Sequence, residues 1–249
     1  MTSASTLSGR RIAITGAGRG LGRALAITVA DHGADLVLLG RDETALSAVA
    51  DAIRARSERD IATVPCDLAQ PDSVAQACRH TLTAAPVVDV LINNGAPWLP
   101  GNLEDLGDAD IATTVAAAVT GTVLMTKGLL PGLRRSAAAD IVTIVSTAGL
   151  PGQYSGSASA AFHAAKHGQS GFSERLGEEL KSYGIRVTAI YPPDFDDTDP
   201  LGGAWNAIRD PGTGAKLTNR ELVAAVMFAI TAPRVCTYPV IILGNMAQK

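Results

Sequence analysis

Short apolar runs recur along the chain and alternate with longer Ala-rich segments that have helical spacing. Each run is four to six residues long and rich in β-branched side chains, which is typical of strands buried on both faces. The runs are Ile12–Thr15, Leu36–Leu39, Ile61–Val64, Val87–Ile92, Ile141–Val145, Ile185–Ile190 and Val240–Leu243. Their alternation with helical segments predicts a parallel sheet of about seven strands covered by helices.

The order of these elements also limits the topology. Because crossovers between parallel strands are right-handed, the pattern favours an α/β, doubly wound Rossmann-type domain with helices on both faces of the sheet. A length of 249 residues suits one such domain, and no repeat or linker divides residues 1–249. Residues 1–8 are polar and are predicted to form a flexible tail. Residues 191–214 break the alternation with Pro, Asp and Gly, which predicts a substrate loop; a surface insertion without function is the alternative.

Composition and charge exclude several classes of partner. The chain is 47% hydrophobic but only 4% aromatic, so its core must be built mainly from Ala, Val, Leu and Ile. The net charge is −3 and no strong basic patch is present, so neither nucleic acid nor an anionic membrane is an expected partner. The sequence shows no signal peptide and no apolar stretch that we would expect to span a bilayer. We therefore expect a soluble cytoplasmic protein.

The cysteines give no sign of a metal site. Cys66, Cys78 and Cys236 are far apart and match no zinc-ligand spacing. Reduced thiols in a cytosolic protein explain them better than a disulfide framework does. No metal is predicted.

A glycine-rich turn follows the first predicted strand, in the segment TGAGRGLG from Thr15 to Gly22. Gly16 can form the tight turn, Gly20 lets the backbone approach a pyrophosphate, and Gly22 lets the following helix, which starts near Leu21, pack on the strand. The free N–H groups at the helix start then face the phosphate charge. A purely structural turn is the alternative, but the strand–turn–helix context predicts a dinucleotide site.

The residues after the second predicted strand bear on the choice of dinucleotide. NAD is usually recognised near this point by an acidic side chain that binds the ribose hydroxyls. Here the strand leads into Gly40 and Arg41, and Asp42 comes one place later. Arg41, together with Arg19 from the glycine-rich turn, could bind a 2′-phosphate, since guanidinium groups suit phosphate oxygens. The expected cofactor is NADP(H).

From Ser8 to Leu243 the chain resembles the short-chain dehydrogenase/reductase family, with the motifs in the family's order. The TGAGRGLG turn is similar to the first family motif. The resemblance implies that Asp67, followed by Leu68, contacts the adenine. It also implies that Asn94 and Gly95, in an NNGA segment at 93–96, line the adenosine ribose.

The same resemblance assigns residues to the reacting end of the cofactor. It implies that Ser146 orients the substrate and that Lys166 holds the nicotinamide ribose. Pro192 and Thr198, in YPPDFDDT, resemble the motif that cradles the nicotinamide. Hydride would pass from NADP(H) to the carbonyl carbon of a small-molecule substrate, with the protein supplying placement and electrostatics.

The predicted catalytic centre departs from the family at two positions. The family carries Tyr-x-x-x-Lys, in which the phenol transfers a proton, but this chain has Phe162 four residues before Lys166. The family's catalytic asparagine would fall at Ala118. In addition, Ser146 and Phe162 lie 16 residues apart, which indicates a small insertion in the loop between them.

Three explanations of Phe162 stay open at this stage. In the first, Phe162 is an engineered Tyr→Phe change that silences a reductase. In the second, it is a natural residue and the fold serves a non-redox function. In the third, another side chain, Tyr154 or His163, transfers the proton. Ala118 weighs against the first, because one trapping substitution does not explain a second loss. In the non-redox case, a lyase, isomerase, cyclase or regulatory binder, proton chemistry would fall to aspartates of the 194–197 segment.

The sequence says less about the identity of the substrate and the oligomeric state. Trp98 and Trp205 could form apolar walls for the substrate, although packing in the core explains each equally well. The resemblance also implies a homodimer or homotetramer, with the Ala-rich segment Ile111–Met125 as a possible interface.

Overall fold

The computed structural model of the chain describes residues 6–154, 156–207 and 216–245. In chain order the strands are β1 (Arg11–Thr15), β2 (Asp35–Gly40), β3 (Ile61–Pro65), β4 (Val90–Asn93), β5 (Asp140–Ile144), β6 (Arg186–Tyr191), β7 (Phe195–Asp196), β8 (Leu217–Thr218) and β9 (Val240–Ile242). The α-helices are α1 (Gly20–Asp31), α2 (Glu43–Arg54), α3 (Pro71–Ala84), α4 (Asp108–Val115), α5 (Thr122–Leu133), α6 (Ala160–Leu180) and α7 (Asn219–Thr231). A π-helical segment, Ala116–Gly121, joins α4 to α5.

The main sheet confirms the predicted architecture. Seven parallel strands lie in the order β3-β2-β1-β4-β5-β6-β9, and each matches one of the seven apolar runs. The order reverses between β1 and β4, which is where doubly wound folds open a crevice for ligands. The fourth run begins later than predicted: Val87 is 40% exposed, and the N–H of Val88 donates to the carbonyl of Gly132 instead of a strand.

Alternate residues of the central strands enter two different cores. Ile12 and Ile14 of β1 belong to the cluster formed with α1, α2 and α7, whereas Ala13 belongs to the cluster formed with α3, α5 and α6. Successive side chains of a strand point to opposite faces, so a sheet covered on both sides needs apolar residues at every position. This requirement explains why the strands appear in the sequence as continuous apolar runs.

The two edges of the sheet differ from its centre. The edge strand β3 ends at Pro65, which has no N–H to offer a further strand. The opposite edge strand, β9, has only three residues, and Val240 and Ile242 are 52% and 57% exposed. Neither edge therefore presents a long row of free backbone groups.

A buried carboxylate ties the amino ends of the strands to the end of α7. Asp140 is 3% exposed and accepts from Arg10, Arg186 and Arg234 at 2.8, 2.7 and 2.9 Å. Two of these guanidinium groups also donate to the last carbonyls of α7, for example Arg10 to Ile230 at 2.8 Å. We call these four charged residues the Asp140 cluster.

The N-terminal prediction needs a correction. Leu7 is fully buried in the core, and its N–H donates to the carbonyl of His32 at 3.0 Å. The predicted flexible tail at 1–8 is therefore too long, because an apolar side chain docks there. Residues 1–5 lie outside the described part of the chain.

Among the described residues, one helical run is long and apolar enough to span a membrane, which we did not expect from the sequence. The run Asp108–Leu133 is 26 residues long, and its most apolar 18-residue window has a mean hydropathy of 1.4, so it qualifies by length and composition alone. Part of its apolar character serves packing inside the domain, since 39% of its most apolar window is buried. Met125, Leu129 and Leu133 lie in the core beside α3.

The predicted substrate loop at 191–214 has several parts. Its first residue completes β6, and β7 then pairs in parallel with β8 to form a separate small sheet. A 3-10 turn follows at Gly203–Asn206, and Trp205 packs partly against the core. Residues 208–214 of this prediction lie outside the described residues.

Candidate active site

A cleft of about 1940 Å³ opens along the carboxyl ends of the central strands. This is the edge of a doubly wound sheet where the polar groups that follow each strand meet. Every predicted site residue except Thr198 lines the cleft: Gly16, Arg19, Gly20, Leu21, Gly22, Arg41, Asp67, Leu68, Asn94, Gly95, Ser146, Phe162, Lys166 and Pro192.

The glycine-rich turn has the shape of a phosphate cradle. Gly16 has φ +67°, and a Cβ there would lie 2.9 Å from the Cα of Gly95. A Cβ on Gly22 would overlap the carbonyl oxygen of Gly16. The N-cap of α1, Arg19, makes no side-chain cap, so the first N–H groups of the helix are free to bind an anion. The turn therefore fits a dinucleotide pyrophosphate.

The NNGA segment braces this turn. The hydroxyl of Thr15 accepts from the backbone N–H groups of Asn94 and Gly95, both at 3.0 Å. The Asn94 amide donates back to the carbonyl of Thr15 at 3.0 Å. These bonds hold the ends of β1 and β4 together at the point where the strand order reverses.

The two charged residues after β2 have different roles: Asp42 caps α2, and Arg41 lines the cleft. Asp42 is the N-cap of α2, and its carboxylate accepts from the backbone N–H of Ala45 at 3.0 Å. Arg41 and Arg19 are exposed at the cleft, and neither forms a salt bridge within the described residues. The acidic group is therefore engaged in capping, whereas two guanidinium groups are available to an anionic ligand.

Lys166 and Phe162 lie side by side on α6. The Lys166 ammonium donates to the carbonyl of Ile144 at 3.1 Å, and its Nζ lies 5.5 Å from the centre of the Phe162 ring. Phe162 is buried and packs edge-on against Trp98, with ring centroids 4.7 Å apart. The i, i+4 spacing thus places both residues on one helix face, as predicted.

A polar partner of Lys166 was missed by the sequence reasoning. Gln169, one helical turn further on, accepts from the Lys166 ammonium at 2.8 Å and donates to the hydroxyl of Thr122 at 3.1 Å. Both Lys166 and Gln169 are buried, and burial lowers the pKa of Lys166 to about 7. The i, i+3 spacing of a polar residue after the lysine was the available signal.

Ser146 has an unusual backbone conformation, with φ 154° and ψ 157°. Residues other than glycine rarely adopt this region, and such strained positions cluster at active sites. The Ser146 hydroxyl accepts from the backbone N–H of Ala148 at 3.1 Å, which fixes the oxygen at the cleft. Its hydroxyl hydrogen is left able to donate to a substrate oxygen.

Comparison with known proteins decides the family. The sequence pattern of the short chain dehydrogenase family matches residues 10–206, which is most of the chain. The chain belongs to the short-chain dehydrogenase family. An uncharacterized oxidoreductase of Staphylococcus aureus strain MRSA252 is 26% identical over 230 residues, covering 92% of this chain and 94% of that protein.

Solved structures agree with this short-chain dehydrogenase assignment. A metagenomic short-chain oxidoreductase in complex with NADP is 26% identical, with a TM-score of 0.79, and the match covers 96% of this chain and 98% of that one. The L-sorbose reductase of Gluconobacter frateurii, complexed with NADPH and L-sorbose, is 20% identical, with a TM-score of 0.83 and full coverage of both chains. At that identity the second match shows the fold alone.

Two positions of this short-chain dehydrogenase lack the polar groups that the family resemblance implies. Phe162 has no ionisable atom, and Ala118 lies 2% exposed within the π-helical segment. Among the candidate substitutes, Tyr154 lies at the cleft but is 90% exposed, and His163 does not line the cleft. Of the described residues that line the cleft, Tyr154 is the one with a phenol or imidazole group.

Thr198 is the one predicted site residue that does not line the cleft. Its backbone N–H donates to the Asn219 side chain at 3.0 Å and its carbonyl accepts from the same side chain at 3.0 Å. These bonds hold Thr198 against the start of α7, away from the cleft. Its neighbour Asp197 lines the cleft instead. Sequence reasoning treated Asp197 only as one of several loop aspartates.

Proposed function

We propose that this short-chain dehydrogenase binds NADP(H) and has the architecture of a carbonyl reductase whose proton-donating phenol is replaced by Phe162. The observation that carries the proposal is that the phosphate turn lies at the same cleft as Arg19 and Arg41, which form no salt bridge within the described residues. Binding of NADP by a metagenomic relative supports the choice of cofactor. Capping of α2 by Asp42 supports it too, because one oxygen of that carboxylate is already engaged by a backbone N–H.

Each part of the cofactor has residues that would hold it. The phosphate turn and the N-terminus of α1 would bind the pyrophosphate, and Arg19 and Arg41 the 2′-phosphate. Lys166 would bind the nicotinamide ribose and contribute positive charge. When bound, NADPH supplies the hydride, which is chemistry that the side chains themselves do not perform.

The protein's own contribution to reduction would be placement and proton transfer. Ser146 would donate a hydrogen bond to the substrate carbonyl oxygen and orient it. Phe162 occupies the place from which a phenol would deliver the proton, and Trp98 packs against it as an apolar wall. General acid catalysis is worth about 10²- to 10⁴-fold in rate. Carbonyl reduction by this sequence should therefore be slower than by a Phe162→Tyr variant by about that factor.

The test follows NADPH oxidation by the wild type and by Phe162→Tyr against a panel of ketones and quinones. A rate gain of at least about 10²-fold in the variant would support the silenced reductase. Tyr154→Phe is the matched control, since it removes the exposed phenol of the cleft. Equal activity in the wild type and in Phe162→Tyr, lost in Tyr154→Phe, would transfer the proton role to Tyr154. Absence of NADPH binding by calorimetry would refute the proposal at its first step.

A second function is favoured by the double loss at Ala118 and Phe162. A non-redox reaction in the same cleft would need no phenol, and Lys166, whose pKa burial lowers to about 7, could exchange a proton near neutrality. Asp194 is less suited to that role, since it is exposed and ion-paired with Lys216 at 2.7 Å. Product analysis would distinguish the two functions. Substrate turnover with the nicotinamide redox state unchanged supports the non-redox function, and stoichiometric NADPH consumption contradicts it.

We also propose that the protein acts in the cytoplasm as a homodimer or homotetramer. The exposed part of the apolar run Asp108–Leu133 supports an interface that includes the predicted segment Ile111–Met125. Light scattering coupled to size-exclusion chromatography measures the assembly directly. A monomer at micromolar concentration would contradict this proposal.

A further inference from the structure

An acidic side chain lies at the phosphate turn. A Cβ placed on Gly20, the first residue of α1, would lie 2.8 Å from one carboxylate oxygen of Asp197 and 3.3 Å from the other. Asp197 also lines the cleft. Its carboxylate therefore occupies the approach to the helix N-terminus where a pyrophosphate would bind.

The segment that carries Asp197 is held in place on both sides. Asp194 pairs with Lys216 at 2.7 Å, and Asp199 pairs with Arg23 of α1 at 2.5 Å. The Asn219 side chain fixes the backbone of the intervening Thr198. These contacts hold the segment across the start of α1, so Asp197 stays near the turn.

The negative charge of the Asp197 carboxylate is poorly balanced by nearby positive charge. Within the described part of the chain it accepts no hydrogen bond and forms no salt bridge. The charged groups that face it are Arg19 from the turn and Asp196 from its own segment, and these act in opposite directions. Asp194 and Asp199 are already paired with cations. Partial burial raises the pKa of Asp197 above its ordinary value.

A bound pyrophosphate would bring two further negative charges to this point. Like charges within a few ångströms repel strongly near a protein surface, and the repulsion favours the neutral form of a carboxyl group. A neutral Asp197 would remove that repulsion and could donate a hydrogen bond to a phosphate oxygen. The geometry thus couples the proton on Asp197 to the anion at the turn.

We propose that Asp197 links dinucleotide binding to proton uptake, so that the pyrophosphate binds at the turn when this carboxyl group is neutral. The inference rests on the proposed NADP(H) binding and deepens it. Affinity should fall as the pH rises, by up to about tenfold per pH unit over the range in which free Asp197 is ionised and bound Asp197 is not. The cleft would then favour its cofactor under mildly acidic conditions.

The test is isothermal titration calorimetry with ADP-ribose from about pH 5.5 to about pH 8.5. ADP-ribose carries the pyrophosphate but lacks the 2′-phosphate, which titrates in the same range, and lacks the nicotinamide. Repeating each titration in buffers of different ionisation enthalpy counts the protons taken up. The wild type is compared with Asp197→Asn, in which every other titrating group is retained. Asp196→Asn is the comparison variant, because it removes a like charge one residue away, keeps Asp197, and takes away one of the groups that raise the pKa of Asp197.

We expect the wild type to take up as much as one proton and to lose affinity as the pH rises. Asp196→Asn should show the same trend with a smaller uptake, because Asp197 is retained but one of the charges that raise its pKa is gone. Asp197→Asn should take up fewer protons and bind about tenfold more tightly than the wild type near pH 8.5, and the difference should shrink as the pH falls. Equal proton uptake by the wild type and Asp197→Asn would overturn the inference. Weaker NADPH binding by Asp197→Asn at every pH would also overturn it, since Asp197 would then be a direct acceptor for the cofactor.

The failure of the proposed function has a different signature. If neither the wild type nor Asp197→Asn binds ADP-ribose or NADPH at any pH, the chain does not bind the dinucleotide, and both proposals fail. Binding with no dependence on Asp197 leaves the proposed function standing and removes only the proton linkage. Asp197→Ser is a second variant for the case in which the asparagine form does not fold, and circular dichroism checks each variant.

Discussion

Asp140→Asn should cost this fold a large part of its stability. The substitution keeps the size of the side chain but removes the negative charge that three guanidinium groups share at 2.7 to 2.9 Å. Asp140 is almost fully buried, and Arg186 is 9% exposed at its side chain. The three positive charges would then face one another, and water would screen Arg186 least, since the side chains of Arg10 and Arg234 are 19% and 37% exposed.

The size of the effect follows from burial. Removing one partner of a buried ion pair typically costs about 3–5 kcal/mol, because the other charge is left uncompensated. For a chain of this length, each kcal/mol shifts the melting temperature by about 2–4 °C. Asp140→Asn should therefore melt about 6–20 °C below the wild type. The guanidinium groups that also bind the last turn of α7 should release that helix end first.

Urea denaturation and thermal melting by circular dichroism measure this loss. Asp51→Asn is the matched control, since Asp51 pairs with the exposed Arg54 at 3.1 Å. An exposed pair of this kind contributes about 0–1 kcal/mol, so the control should stay close to the wild type. If Asp140→Asn loses no more stability than Asp51→Asn does, the cluster does not stabilise the fold in the way we argue.

Three further predictions concern the cleft and the thiols. Burial lowers the pKa of Lys166 from 10.5 to about 7, so above pH 7 the unfolded chain binds more protons than the folded one and the free energy of unfolding should rise with pH. Urea titrations at pH 7 and 9 should show a smaller rise for Lys166→Met than for the wild type. An equal rise in both proteins would refute this prediction. Burial raises the pKa of Cys66 to about 12 and of Cys78 to about 11, so both thiols should react slowly with iodoacetamide in the native protein. Mass spectrometry should find the label on Cys236 alone before unfolding and on all three cysteines after it. Rapid labelling of Cys66 or Cys78 in the native protein would contradict the prediction. Gly22→Ala would place a methyl group against the backbone of the phosphate turn. Calorimetry should then show no NADPH binding and a lower melting temperature. Unchanged binding would show that the turn has room for the methyl group.

The sheet could be predicted because its strands are buried on both faces. Such strands appear as continuous apolar runs, and each of the seven runs marks a strand of the main sheet. The two-residue strands Phe195–Asp196 and Leu217–Thr218 could not be found in this way, since a pair of residues has no periodicity. The docking of Leu7 was missed for a similar reason: a single apolar residue in a polar segment gives no pattern.

The site could be predicted where its geometry is local. The phosphate turn is specified by closely spaced glycines, and the residues of that motif line the cleft as expected. The position of Thr198 could not be predicted in this way, because Asn219, which is distant in sequence, fixes its backbone. Asp197 and Gln169 were not singled out, since what matters about each is a contact made only in the folded chain.

The edges of the main sheet bear on how the protein behaves at high concentration. A sheet edge can recruit a strand from another molecule, and such pairing is a route to aggregation. Pro65 blocks one end of β3, and the three residues of β9 offer few hydrogen bonds to an incoming strand. The apolar side chains of Val240 and Ile242 make the β9 edge the more adhesive of the two. Concentrated solutions should therefore associate first through that edge, and Val240→Lys should raise their solubility.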